Sequence, residues 1–233
     1  MYRAGVVTGK IDIGDIVSRV FDLYFRYAAV LLPVAAVLFL IEAAFRLLGL
    51  ESTALAAVAG VVALIVSTVY TGMVVRLVDD VRDGRLDQSP GDLVRSVGPV
   101  LLPLILVSIL AGLGIAIGLV LLIVPGLILV TLWAVVAPVT VLERPGVFAA
   151  FGRSRELVRG NGWSVFGVIV LFVLIFIAIG IVLGIIGALL GDAGEVILNY
   201  VGSVITAPLV ALASAVLYFQ LRAPGPEVPV APQ

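Results

Sequence analysis

The sequence predicts an all-α integral membrane protein of six transmembrane helices with short interfacial amphipathic helices. Three observations carry that prediction. Of the 233 residues, 62% are hydrophobic and 12% charged, and the mean hydropathy is +1.28. A soluble domain carries about 25% charged residues. A water-facing fold has nowhere to put so much apolar surface, so lipid is the remaining solvent. Second, six stretches reach the roughly 20 apolar residues that a hydrocarbon core about 30 Å thick requires. Third, the basic residues segregate to one side of the map that those stretches define.

The six expected spans are Ala28–Leu48, Thr53–Val78, Gly98–Leu122, Pro125–Leu142, Ser164–Leu190 and Val196–Leu221. The third and fourth run together with no polar linker. They are divided at Val124-Pro125-Gly126, because proline suits the first turn of a helix and disfavours helix in the residue before it. A re-entrant hairpin is the competing reading there. Small residues recur four apart at Ala56 and Gly60, Gly114 and Gly118, and Gly180 and Gly184. Such pairs let helix backbones approach closely, within one bundle or across a dimer seam.

The interfacial segments follow from periodicity and caps. Residues 1–26 form an N-terminal amphipathic segment, too long and too acidic for a cleaved secretory signal. Within it Ile13, Ile16, Val17, Val20, Phe21 and Tyr24 share one helical face. Asp15 with Arg19, and Asp22 with Arg26, place acid before base at the favourable spacing of four. Such a helix lies in the headgroup plane or packs on the protein's own spans. Residues 79–88 read as a polar loop turning at Asp83-Gly84. Ser89-Pro90-Gly91-Asp92 reads as a helix start with a capping box. Residues 146–160 read as a third short helix with Phe148, Phe151, Arg155 and Val158 on one side. Residues 27–222 are the transmembrane domain. Residues 223–233, with Pro224, Pro226, Pro229 and Pro232, read as an extended, disordered tail.

On this map thirteen of the fourteen basic residues fall on one side, and Arg46 alone on the other. The positive-inside rule then places both termini in the cytoplasm. The Ala, Val, Gly and Arg richness fits a GC-rich genome. A short internal repeat is also visible. Gly14-Asp15-Ile16-Val17 matches Gly91-Asp92-Leu93-Val94, and Ala29-Val30-Leu31-Leu32-Pro33 matches Pro99-Val100-Leu101-Leu102-Pro103. Ser18-Arg19 and Ser154-Arg155 suggest a third copy. The pattern is a three-fold pseudo-repeat of interfacial helix plus transmembrane hairpin, short enough to arise by chance in an Ala/Val/Leu alphabet.

Composition also excludes chemistry. There is no Cys and no His, so thiolate metal sites and the commonest general base are missing. No paired carboxylates, nucleophile–base set or phosphate loop stands out. The expectation is a non-enzyme without cofactor or metal, partnered by the lipid bilayer and its anionic headgroups rather than by nucleic acid. One acid lies well inside a span: Glu42, about 22 Å along the helix from Tyr27. An intramembrane acid is a functional candidate, but Arg46 one turn on offers a Glu42–Arg46 charge pair reaching toward the interface. If Ser67, Thr68, Asn199, Ser203, Thr206 and Ser214 converge on one cavity, a transporter gains weight. If they face separate neighbours, it loses weight.

The most informative segment runs from Pro125 to Gly167. It contains Pro125-Gly126, Glu143 at the end of a span, Arg153-Ser154-Arg155-Glu156-Leu157 on a short helix, Arg159, and Gly160-Asn161-Gly162-Trp163. This resembles a bacterial multi-span family named for the membrane domain of glycerophosphoryl diester phosphodiesterase. The resemblance implies a stand-alone membrane unit; in that family the catalysis belongs to a fused soluble domain, whose histidines this chain lacks. From the residues themselves, Glu143, Arg153, Ser154, Arg155, Arg159, Asn161 and Trp163 are a candidate cluster for lipid headgroups or a partner, or for pinning the loop. The expected contact is Glu143 with Arg153 or Arg155, with Phe148 and Phe151 buried beneath. The expected function is a scaffold or accessory in envelope or lipid processes. The alternative is a small-molecule or lipid transporter built from parallel two-helix repeats.

Overall fold

A computed structural model describes residues 12–49, 53–83 and 86–222, without the side chains of 46–49, 83, 188, 190–193, 195 and 196. Among the described residues every regular element is helical, and six helices or helix pairs are long and apolar enough to cross a membrane. The chain is an all-α, multi-span membrane protein. The expected tail at 223–233, Gly84 of the expected turn, and the whole of residues 1–11 lie outside the described residues.

The first helix, α1 (Ile13–Arg26), starts where the Asp12 carboxylate accepts the Gly14 N–H at 2.7 Å. Ile16, Val20 and Tyr24 are buried. Their neighbours are protein: Ile13 packs on Gly167, and Gln220 Nε2 donates to Asp15 Oδ2 at 3.3 Å. The apolar face of α1 therefore docks on the bundle. The Asp15–Arg19 and Asp22–Arg26 pairs close on its outer side at 2.9 and 3.0 Å.

The hairpin of α2 (Ala28–Gly49) and α3 (Thr53–Asp80) is joined by Tyr70, whose hydroxyl donates to the Leu31 carbonyl at 3.1 Å. A 3-10 turn at Val81–Asp83 follows. Asp80 then organises the loop, accepting both the Asp87 and Gln88 backbone N–H groups and the Gln88 side-chain amide. Ser89 caps α4 (Pro90–Arg95) by accepting the Asp92 N–H. The Ser89 hydroxyl in turn donates to Asp92 Oδ2 at 2.6 Å, so the carboxylate accepts from the hydroxyl rather than from the Ser89 backbone N–H as in a full capping box.

The third span is α5 (Leu101–Leu121), entered through a 3-10 turn at Gly98–Val100. The chain reverses at Leu122, which is extended at φ −159°, and α6 (Ile123–Leu132) begins at once. The boundary expected at Pro125 is thus two residues late. Pro125 sits inside the first turn, where its missing N–H leaves no helical bond unmade. Gly126 lets the two backbones touch: a Cβ on Gly118 would stand 3.0 Å from the Gly126 Cα. Gly114 likewise makes room for the ring of Trp133. The expected single helix Pro125–Leu142 is corrected to two, because the helix stops at Leu132 and restarts as α7 (Val136–Leu142). Pro138 explains the break, since it offers no N–H to the Ala134 carbonyl and its ring crowds that carbonyl.

The last elements are α8 (Val147–Val158) and α9 (Gly162–Arg222). Helical backbone runs through α9 without interruption, yet α9 is a hairpin. On one straight helix residues 183 and 202 would lie about 28 Å apart. Here Leu183 Cδ1 is 3.0 Å from where Gly202 would carry a Cβ. Both ends of α9 also meet α1, at Gly167 and Gln220. The two halves are the fifth and sixth spans. The core gathers around α3 and the second half of α9, which supply many of its buried side chains, while from Val173 to Ile186 none is buried. The element order is a short helix followed by two spans, three times over. In α1 and α4 the matching Gly and Asp fall at the same second and third helical positions. Ser18 and Ser154 do not correspond, being sixth and eighth in their helices.

Candidate functional site

The site is built where α7 ends. Glu143 and Arg144 both donate their N–H to the Val139 carbonyl, at 2.9 and 3.3 Å. This wraps the helix terminus and puts Arg144 at φ 52°, the one non-glycine residue with positive φ among those described. Pro145 and Gly146, at φ 95°, complete the reversal, and α8 folds back over the end of α7.

That return brings Arg153 to Glu143. Arg153 Nε donates to Glu143 Oε2 at 2.9 Å. The second carboxylate oxygen accepts the Tyr218 hydroxyl, also at 2.9 Å. Tyr218 in turn accepts from Arg222 Nη1 at 2.9 Å, and Arg153 Nη1 reaches Glu156 at 3.4 Å. One chain of polar contacts thus ties the end of α7, the middle of α8 and the last turn of α9. The hydrogen bond that Arg153 donates to Glu143 is the main reason its guanidinium is shifted above the ordinary range, with partial burial opposing it. Arg155, the other expected partner, is exposed and not part of this chain.

Ser154 has a different task. It is fully buried, and its hydroxyl donates to the Leu132 carbonyl at 2.8 Å. That carbonyl would serve the Val136 N–H in an unbroken helix, but Val136 bonds to Trp133 instead. Ser154 therefore satisfies a carbonyl that the Pro138 break releases. Phe151 packs edge-on against Trp133 at 4.9 Å beside it.

The faces of α8 differ from the expected grouping. Ala150, Ser154 and Val158 are buried, and Phe151 lies with them. Phe148, Gly152, Arg155 and Arg159 form the exposed stripe. Phe148 was expected to bury, and it is 81% exposed. A helix presents residues four and seven apart on one face, which puts Phe148 with the arginines. Gly160, at φ 92°, turns the chain into α9, and the Asn161 carbonyl accepts the Val165 N–H at 3.0 Å. Trp163 is 86% exposed at the start of that span. Arg144, Arg155 and Arg159 form no ion pair with the described residues.

Two participants escaped sequence reasoning. Tyr218 sits in an apolar run, and its only signal is Arg222 one turn on. Arg76 lies inside the second span, donates from Nη2 to the Val141 carbonyl at 2.9 Å, and has a buried Nε without a partner. The Glu42–Arg46 pair lies outside the described residues, because the Arg46 side chain does. Glu42 itself is half-buried on α2.

The polar residues of the spans converge only in part. Asn199, Ser203 and Thr206 line a groove of about 610 Å³ between the halves of α9. Ser67 and Ser214 bond to carbonyls of their own helices, at Leu64 and Ala211, and Thr68 is buried on α3. Among the described residues no three acidic side chains gather as a cation site would need. No protein-family model, curated protein or solved structure matches this chain.

Proposed function

We propose that this protein is a non-enzymatic scaffold or accessory of the bacterial plasma membrane, with cytoplasmic termini, serving envelope or lipid processes. In this proposal the exposed face of α8 rests on anionic lipid headgroups. The division of labour among the arginines supports it. Arg153 and Arg222 are held by Glu143 and Tyr218, while Arg144, Arg155 and Arg159 stay exposed, as do Phe148 and Trp163. Exposed cations and exposed aromatic rings along one surface segment suit a membrane interface. The family resemblance is part of the proposal, and its motif includes Glu143 and Arg153 of the pinning pair and Arg155 of the exposed stripe.

Each arginine near an anionic leaflet contributes about 1 kcal/mol. Arg155→Gln with Arg159→Gln should therefore weaken binding of phosphatidylglycerol roughly thirtyfold, measured by lipid exchange into purified protein. Unchanged retention would overturn the headgroup role. The transporter alternative draws support from the groove at Asn199, Ser203 and Thr206. Against it, those residues stand on one helix, and Ser67, Thr68 and Ser214 lie away from them.

A further inference from the structure

We propose that the groove between the two halves of α9 is a lipid site, taking one acyl chain of a glycerolipid with its ester oxygens at Asn199 and Ser203. The groove has a volume of about 610 Å³ and is open along one side. That is within the roughly 300–1,000 Å³ of ordinary ligand sites.

The first wall argues for an occupant. Gly180 and Gly184 stand four apart, the spacing by which two helices usually approach. Yet a Cβ added at either would meet nothing within 4 Å. Packing within this chain therefore does not require glycine there, in contrast to Gly114 and Gly118. Glycine weakens a helix relative to alanine, so the open space above it is the feature that calls for explanation.

The width of the groove selects the occupant. At Leu183 and Gly202 the walls close to 3.0 Å from side chain to Cβ position. A helix from a second copy, about 10–12 Å across, cannot enter between walls that touch there and could only cover the open side, an arrangement the Gly184→Cys variant below would detect. A hydrocarbon chain does.

The polarity gradient then selects an amphiphile. Because Leu183 meets Gly202, residue 186 lies level with Asn199 and Ile179 level with Thr206. Trp163, exposed at the start of α9, marks one membrane face. Asn199 is then about 35 Å from that face and Thr206 about 24 Å. A hydrocarbon core about 30 Å thick ends between them. Asn199 thus lies at the far interface, where lipid carbonyls reside, and Ser203, level with residue 182 at about 28 Å, lies at the edge of the hydrocarbon core. Deeper in, Thr206 spends its hydroxyl on the Gly202 carbonyl at 2.8 Å. Phe176 and Ile179 complete an apolar floor.

The test uses the full chain in nanodiscs doped with phosphatidylcholine that carries a diazirine midway along one acyl chain. This lipid has no net charge, so the result is independent of the arginines of α8. Adducts should concentrate on residues 176–187 and 198–206, above the level on the exposed control stretch 113–121. Gly184→Leu should reduce groove labelling to the control level while leaving the control unchanged. A diazirine alkane without a headgroup should show no enrichment. Uniform labelling of all lipid-facing spans would overturn the proposal. So would enrichment that survives Gly184→Leu, or equal enrichment with the alkane. A Gly184→Cys variant that forms disulfide-linked pairs in membranes would instead assign the groove to a second copy.

Discussion

A carboxylate at the edge of a membrane is costly unless donors reach both of its oxygens. Glu143 has Arg153 on one and Tyr218 on the other. Charged hydrogen bonds of this kind contribute about 1.5–3 kcal/mol each. Glu143→Gln and Arg153→Gln should each lower the melting temperature in detergent. Their combination should cost less than the sum of the two, with a coupling of about 1 kcal/mol. Full additivity would show that the two side chains act separately. Arg144 poses the opposite case. Its φ of 52° strains any side chain with a Cβ, by roughly 1–2 kcal/mol. Arg144→Gly should therefore raise the melting temperature while weakening anionic-lipid retention. A gain in stability with no loss of lipid would assign Arg144 no role at the headgroups. Sequence spacing was enough to bring Arg153 or Arg155 to Glu143, because Pro145-Gly146 turns the chain at once and α8 is short, but it did not choose between them. It did not reveal Tyr218, which comes from 75 residues further along, a separation that no local pattern encodes.

The broken span of α6 and α7 is held by two distant facts, a missing N–H at Pro138 and a borrowed hydroxyl at Ser154. Ser154→Ala leaves the Leu132 carbonyl buried without a donor, at a cost of about 1–3 kcal/mol. In a Pro138→Ala background the helix is free to close across the break, and the same Ser154→Ala change should then cost markedly less. Equal costs in both backgrounds, measured by thermal unfolding, would mean that the hydroxyl does not serve the break. Helix existence was legible from hydropathy alone, as the matching of six expected spans to six observed ones shows. The finer boundaries were not. Leu122 carries no turn signal, so proline drew the expected boundary two residues too late. Pro138 was visible in the sequence, but hydropathy does not register a lost hydrogen bond.

At the scale of the molecule, Gly167 and Gln220 both meet α1, so the two ends of α9 share a face with the start of the chain's first described helix. Under the proposed orientation, Ser52→Cys and Ala193→Cys should react with an impermeant thiol reagent in intact cells. Gln88→Cys and Arg155→Cys should react only after permeabilisation, and the absence of Cys from the chain keeps the background clean. External reaction at residue 88 would sink that orientation. The hairpin of α9 carries a further consequence for how this sequence is free to drift. From Val173 to Ile186 no residue is buried, so lipid is the main neighbour there and lipid does not distinguish leucine from isoleucine or valine. Descendants of this chain should scramble those letters at Val173, Leu174, Ile177, Ile181 and Ile185, while Gly180 and Gly184 hold still. Sixth-span residues such as Leu212, Ala215 and Tyr218, pressed against the rest of the protein on every side, should hold still for the ordinary reason.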